Sequence, residues 1–211
     1  MVRWIMMLSA VAVTLSAGAA TDNPATPLFN GKDFAGWKLF LPDGNAKPEA
    51  TWSAQDGVVH CTGEPAGYMR TEKAYENYRL RLEWRWAGQE GGNSGVLLHC
   101  QDPDTVWPKA IESQLQSGHA GDFWVIGGAD FKEHTDKGNR RVIKKESSSE
   151  KPLGEWNQYE IVCQGNTIKS YVNGVLQNAA TECTVTKGYI GLQSEGTPIE
   201  FRNITLEPLA K

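Results

Sequence analysis

Between Tyr78 and Trp86 the side chains alternate without interruption. Tyr78, Leu80, Leu82, Trp84 and Trp86 are apolar or aromatic, and Arg79, Arg81, Glu83 and Arg85 between them are charged. Successive side chains of a β-strand point to opposite faces, so this pattern predicts a strand with one face in a core and the other in water. The same rhythm recurs along the chain. In residues 156–164, Tyr159, Ile161 and Cys163 alternate with Gln158, Glu160 and Val162. In residues 110–117, Ile111 and Leu115 point one way and Glu112, Gln114 and Gln116 the other. Residues 167–172 turn at Asn173-Gly174 into Val175-Leu176, and Asn-Gly is a strong hairpin signal. Trp52-Ser53 with residues 57–61 forms an earlier hairpin, residues 96–101 a further strand, and residues 189–193 and 199–206 close the chain. No stretch of ten residues carries helical periodicity. The fold predicted is all-β, two antiparallel sheets packed face to face.

Residues 118–155 break the rhythm. They are rich in Gly, Asp, Lys and Ser, and only residues 123–126 suggest a short strand or lid. A loop of this length in a compact domain is commonly functional or mobile. At the other end, Arg3 is the only charge in residues 1–20, residues 4–15 are mostly apolar, and Ala17-Gly18-Ala19-Ala20 supplies small residues for cleavage. That layout reads as a signal peptide. The apolar run is short for a membrane span. The expectation is a secreted or periplasmic chain of residues 21–211, one domain, with no membrane span after cleavage.

Export permits disulfides. Cys61, Cys100, Cys163 and Cys183 allow three pairings, with Cys163 and Cys183 closest to one predicted hairpin; four buried thiols are the alternative. No Cys-x-x-Cys spacing supports a zinc site. The net charge of −4 argues against a nucleic-acid partner. Serine-hydrolase, zinc-protease and phosphate-loop signatures are absent. Asp102-Pro103-Asp104 and residues 130–136 match no calcium-loop spacing and read as solvated loops.

The polar strand faces are more informative. Glu112 and Gln114 share one face of their strand, and Glu83 and Arg85 share one face of theirs. His99 lies on a strand between them in sequence. If these strands are neighbours, a carboxylate, an amide, an ion pair and an imidazole line one groove suited to a sugar. The alternative is an ordinary solvent-facing surface. Trp107 and Trp124 lie in loop-like segments, placed either to stack on a sugar ring or to pack under the long loop. Trp37, Trp52, Trp84, Trp86 and Trp156 fit a core pattern. His60 reads as structural, His119 as within reach of the groove, and His134 as a surface residue.

These residues fall into an ordered set that resembles the secreted bacterial 3-keto-disaccharide hydrolase domain family. The resemblance begins at Leu28-Phe29-Asn30-Gly31-Lys32-Asp33-Phe34-Ala35-Gly36-Trp37. It runs through residues 52–59, Met69-Arg70-Thr71-Glu72, residues 78–85, Gly92-Asn93-Ser94-Gly95-Val96, Glu112-Ser113-Gln114 and Gly154-Glu155-Trp156-Asn157. It ends at Gly191-Leu192-Gln193 and Phe201-Arg202-Asn203-Ile204. The resemblance implies a concanavalin A-like jelly-roll sandwich and cleavage of the glycosidic bond of sugars oxidised at C3. Glu112 and Gln114 carry over as the site strand. Many members have Gln-Asp-His-Gly where this chain has Gln193-Ser194-Glu195-Gly196, so Glu195 stands where the family has a histidine.

A 3-keto sugar has an acidic proton at C2. Its removal gives an enolate that expels the C1 substituent, and water then adds. The route needs a base, a proton donor for the leaving oxygen and a stabiliser for the C3 oxyanion. Glu112 is the candidate base, His99 or His119 the donor, and Arg85, Gln114 or a bound divalent metal the stabiliser; no organic cofactor is expected. Glu83, Arg85, Trp107, His119, Trp124 and Glu195 are the candidate carbohydrate contacts. Two other readings remain: a non-catalytic carbohydrate-binding module, and an ordinary glycosidase with Glu83 or Glu195 as second carboxylate.

Overall fold

The computed structural model describes residues 24–88 and 90–210. The export segment read at residues 1–20 lies outside them. Among the described residues no helix is long and apolar enough to cross a membrane. In chain order the strands are β1 (Thr26–Pro27), β2 (Trp37–Phe40), β3 (Trp52–Gln55), β4 (Val58–Cys61), β5 (Gly67–Thr71), β6 (Tyr78–Trp86), β7 (Gly95–Cys100) and β8 (Ala110–Gln114). They continue as β9 (Phe123–Ile126), β10 (Arg141–Val142), β11 (Asn157–Gln164), β12 (Thr167–Val172), β13 (Val175–Ala180), β14 (Tyr189–Ser194) and β15 (Ile199–Pro208). A four-residue helix, α1 (Pro48–Thr51), precedes β3.

The strands form two antiparallel sheets, as the alternation predicts. One has the order β13-β12-β11-β6-β15-β4-β3, with β1 added against β15; the other runs β10-β9-β8-β7-β14-β5-β2. The chain is a jelly-roll sandwich. Tyr78, Leu80, Leu82, Trp84 and Trp86 of β6 are all buried in the core between the sheets, beside Tyr159, Ile161 and Cys163 of β11. The second sheet contributes Val96, Leu98, Ile111, Phe123 and Leu192 from its inner face. A polar contact also crosses the interior. Ser113 Oγ of β8 meets the Tyr159 hydroxyl at 2.5 Å and Ser170 Oγ of β12 at 2.6 Å. It ties β8 to the opposite sheet.

Local chemistry explains the turns. The β12–β13 hairpin turns on Asn173 at φ 49° and Gly174 at φ 82°, the left-handed pair that Asn-Gly accommodates. The segment 118–155 is bonded into the fold. Its β9 and β10 extend the second sheet, the fully buried Asp122 carboxylate accepts from Arg141 Nε at 2.7 Å and Lys144 N at 2.8 Å, and Glu150 accepts from the Gly118 and Ala120 amides. All four cysteines are buried free thiols, so the Cys163–Cys183 bond is not formed; burial pushes both thiols up to about 12.

Several polar residues differ from their sequence reading. Trp156 is outside the core, half-buried on the outer face of the first sheet, with the Arg85 and Arg202 guanidinium groups 4.6 and 4.1 Å from its ring. His134 is buried, held between Asp130 Oδ1 at 2.7 Å and the Asn139 carbonyl at 2.8 Å. His60, by contrast, is structural as its sequence reading has it, paired with Glu200 at 3.0 Å.

The largest departure is residues 101–109. This loop leaves β7 and enters β8, but on the way it crosses β14 to reach β5 and β2. Asp104 accepts from Arg70 Nε at 2.6 Å, Lys38 Nζ at 2.6 Å and the Tyr68 hydroxyl at 2.9 Å, and Asp102 accepts from the Tyr189 hydroxyl at 3.0 Å. The loop therefore roofs the outer face of the second sheet. Under it lies a second apolar cluster of Tyr68, Leu97, Cys100, Ala110 and Ile126. Asp102-Pro103-Asp104 is thus a latch, not a solvated turn.

The latch has a pH signature. Despite the opposing effect of burial, the bonds from Arg70, Lys38 and Tyr68 hold the Asp104 carboxyl well below the usual carboxylate range. A depressed folded value contributes stability above the unfolded value of about 3.9 and loses it as pH falls toward the folded one. Asp104→Asn should cost about 3 kcal/mol at pH 7 by taking the carboxylate from Arg70, Lys38 and Tyr68 and leaving the buried Arg70 only its longer carboxylate contact, to Asp102 at 3.3 Å, which lowers Tm by about 6–12 °C in a chain of this size. The gap to wild type should narrow as pH falls below about 4. Thermal melts from pH 7 down to pH 3 check this; coincident melts at pH 7 would contradict the latch.

Candidate active site

Beside the latched loop that face has an opening. It is a cleft of about 130 Å³ lined by Asn93, Trp107, Glu112, Gln114, Trp124, Ile126, Arg140 and Glu195. It is small beside the pockets of about 300–1,000 Å³ that hold drug-sized ligands. A larger groove of about 530 Å³ lies on the outer face of the opposite sheet, between Arg81, Glu83, Glu160, Tyr171 and Asn203. Its charges are engaged with one another: Arg81 with Glu160 at 2.7 Å and Glu83 with Arg202 at 2.7 Å. The small cleft is where uncompensated groups converge.

Strand register explains the convergence. Residues opposite one another in antiparallel strands share a face. Glu112 of β8 faces Leu97 of β7 and Trp124 of β9, and Gln114 faces Gly95. Gly191 of β14 faces Leu97, so Gln193, two residues on, comes beside Gly95. Gly95 has no side chain, and Glu112 and Gln193 meet in the space above it. A methyl group there would overlap both Glu112 Oε1 and Gln193 Oε1. Asn93, just before β7, bridges to Glu195 and Gly196 just after β14, which holds Glu195 at the rim.

Glu112 is only 5% exposed and its Oε1 has no hydrogen-bond partner. Burial raises its carboxyl to about 8, the negative charge of Glu195 adds to the rise, and Arg140 and the nearby Gln193 amide oppose it. Burial also raises Glu195 to about 7, with the Asn93 amide and Arg140 opposing. Two carboxyls with raised values in one cleft hold close to one proton between them near neutral pH. Gln114 directs its Oε1 back to the amides of Leu115 and Gln116, both at 2.8 Å, which leaves its NH₂ as the end presented to the cleft. Trp107, 46% exposed, and Trp124 supply aromatic walls, and the Arg140 guanidinium lies 5.5 Å from the Trp124 ring centre.

The structure thus brings together Glu112, Gln114, Trp107, Trp124 and Glu195 from the sequence reading. It separates the others. Glu83 and Arg85 lie on β6 in the opposite sheet, bonded to Arg202 and Glu200. His99 has a left-handed backbone, φ 55°, that breaks the alternation and turns its ring into the core. There it packs edge-on against Tyr78, with Nδ1 3.2 Å from the Val185 carbonyl. Burial lowers its value to about 4, so it is neutral and cannot donate a proton as an imidazolium. His119 lies outside the cleft lining, with Nδ1 2.7 Å from Arg141 Nη2.

Asn93, Arg140 and Gln193 were missed by sequence reasoning. Gln193 had a signal: Tyr189, Gly191 and Gln193 alternate with Ile190 and Leu192, which puts Gln193 opposite the core. Asn93 stands in a stretch that enters the sequence reading through the family resemblance, with no site role given to it, and Arg140 in a loop with no periodicity. Among the described residues no three His, Cys, Asp or Glu side chains cluster as a metal site.

A Bacteroides thetaiotaomicron protein named 3-keto-disaccharide hydrolase is 24% identical, over 86% of this chain and 77% of its own. The crystal structure of a candidate glycosyl hydrolase from Parabacteroides distasonis is 26% identical and superposes with a TM-score of 0.67, covering 88% of this chain and 94% of that one. A carbohydrate-binding module (CBM66) from Bacillus subtilis shares the fold at 14% identity and a TM-score of 0.60, over 84% and 97% of the two chains. Residues 24–207 match the 3-keto-alpha-glucoside-1,2-lyase-like domain, and the chain belongs to that family.

Proposed function

We propose that this protein cleaves the glycosidic bond of 3-keto-glycosides, with Glu112 as base and Glu195 as proton donor. The observation that carries this reading is the pair of carboxyls with raised pKa values in one aromatic-walled cleft. Family membership and the named relative support a carbohydrate-active, hydrolase-like chemistry. The export address read in residues 1–20 would put the activity in the periplasm or outside the cell.

The chemistry closes on these two groups. Ionised Glu112 takes the C2 proton, and the electron pair moves into an enolate whose oxygen is that of the C3 ketone. The Gln114 NH₂ donates to this oxyanion. The enolate reforms the ketone, a double bond forms between C1 and C2, and the C1–O bond breaks. Glu195 gives its proton to the departing oxygen. Glu112 is now protonated and Glu195 ionised. Glu195 then takes a proton from water as the oxygen adds to C1, and Glu112 returns its proton to C2. Both carboxyls regain their starting states. Release after the first half is lyase chemistry; completion of both halves is hydrolysis.

Burial serves this scheme because a carboxylate with a raised pKa is a stronger base. The reactive arrangement, Glu112 ionised and Glu195 protonated, is the less populated of the two singly protonated forms. It stays in fixed proportion to the other, so rate follows the singly protonated pair.

An ordinary two-carboxylate glycosidase is the second reading, favoured by the presence of Glu195 beside Glu112. The two are separated by substrate: the first cleaves a 3-keto-glucoside and leaves the unoxidised parent intact, and the second cleaves the parent.

Three outcomes are expected on 3-keto-glucosides. Glu112→Gln should lower kcat/KM by about 10³-fold whatever the leaving group, within the usual range for a lost general base. Glu195→Gln should be severe for an alkyl glycoside but recover most of the rate with a nitrophenoxide leaving group, which departs without a proton. Equal damage on both substrates would remove Glu195 from the donor role. The wild-type pH profile should be a narrow bell, rising as the first proton leaves the pair near 7 and falling as the second leaves near 8. A flat profile between pH 5 and 9 would contradict the shared-proton pair.

A further inference from the structure

Gln193 is the most unusual polar residue around the cleft. It sits on β14, is 2% exposed, and neither its side-chain oxygen nor its side-chain nitrogen has a hydrogen-bond partner. Its neighbour across Gly95 is Glu112, whose Oε1 is also unpartnered. Buried polar groups are nearly always bonded, and each exception calls for a reason. Here the exceptions face one another across a space that exists only because residue 95 has no side chain.

The other groups around Glu112 do not satisfy that oxygen. Strand β7 offers Gly95 and Leu97, and β9 offers Trp124. Glu195 follows β14 and Arg140 precedes β10, both in the cleft. From behind, β11 contributes Tyr159, whose hydroxyl is engaged with Ser113 and the Gln114 carbonyl.

We propose that Gln193 is a positioning residue for Glu112, its amide oxygen accepting from the protonated carboxyl and its amide nitrogen, after a half-turn of the side-chain amide, donating to the ionised one. A carboxamide carries one acceptor and two donors and no charge. It therefore fits both states of a carboxyl that gains and loses a proton in each turnover. A lysine or arginine here would hold Glu112 ionised and weaken it as a base. A glutamate would have no donor for the ionised form. The two side chains meet above Gly95, where the Gln193 amide favours the ionised carboxyl and burial the protonated one. Because the amide turns in place, Glu112 need not change position between taking the C2 proton and returning it.

This inference rests on the reading of Glu112 as the group that changes protonation. Its test is substrate-free first. In wild-type protein with ¹⁵N-labelled glutamine, the Gln193 side-chain NH₂ resonances should move between pH 6 and 9 with a midpoint near 8. Unmoved resonances would overturn the proposal, whether or not any 3-keto-glycoside is cleaved. Moving resonances without cleavage of such substrates would sustain the pair and sink the activity. Gln193→Leu is the second arm. The variant loses the bonds to both states, and because the bond to the ionised carboxyl is the stronger, the net effect raises the Glu112 pKa by about one unit. The alkaline limb of the kcat/KM profile should move up by about one pH unit, while the acid limb, dominated by Glu195, stays near 7. A rate lowered evenly at every pH with both limbs unmoved would make Gln193 a packing residue only. If the variant does not fold, the wild-type titration decides.

Discussion

A carboxyl buried on the outer face of a β-sheet is the constraint around which this molecule is arranged. Water should cover the outer face of a sandwich, and Glu112 points there. It is buried because residues 101–109 cross the sheet, latched through Asp104 to Arg70, Lys38 and Tyr68, and because Trp107 and Trp124 close the remaining opening. Without that roof Glu112 would titrate as an ordinary solvent-facing glutamate. With it, the carboxyl has no cation bonded to it and its proton affinity rises. The sandwich supplies rigidity from the other side: Ser113, next to Glu112, is bonded to Tyr159 and Ser170 of the opposite sheet.

Much of this was legible in the sequence. Period-two alternation in β6, β8 and β11 gave the strands, their buried faces and the shared face of Glu112 and Gln114. It failed where backbone conformation breaks the period. His99 stands at a strand position whose parity matches Glu112, but a positive φ turns the ring inward, and alternation carries no sign of that. Glu83 and Arg85 were correctly put on an outward face; that the face belongs to the other sheet is a matter of topology, and strand order is not written in local pattern. The latch was invisible for a related reason. Asp104 and Arg70 are 34 residues apart, and nothing near either residue names its partner. Trp156 read as core because it is large and precedes an alternating strand, yet two guanidinium groups cover it outside the core.

The fold does not separate binding from catalysis, since a carbohydrate-binding module shares it at a TM-score of 0.60. The separation lies in side chains. A binding face offers satisfied polar groups and exposed aromatic rings. This cleft offers two carboxyls with raised proton affinity and a buried unsatisfied amide, a costly arrangement that recognition alone does not need. The chemistry inferred also explains why neutral amides surround Glu112. In the proposed mechanism Gln114 and Gln193 polarise and orient without fixing charge, so that the proton can move from C2 to the carboxyl and back.

The most direct measurement of the central claim is the rate of cleavage of a 3-keto-glucoside deuterated at C2 against the undeuterated sugar. Removal of the C2 proton by Glu112 predicts slower cleavage of the deuterated substrate, and loss of both rates in Glu112→Gln. Equal rates for the two isotopologues, with the unoxidised parent cleaved as well, would contradict the account and leave a glycosidase that acts at C1 alone.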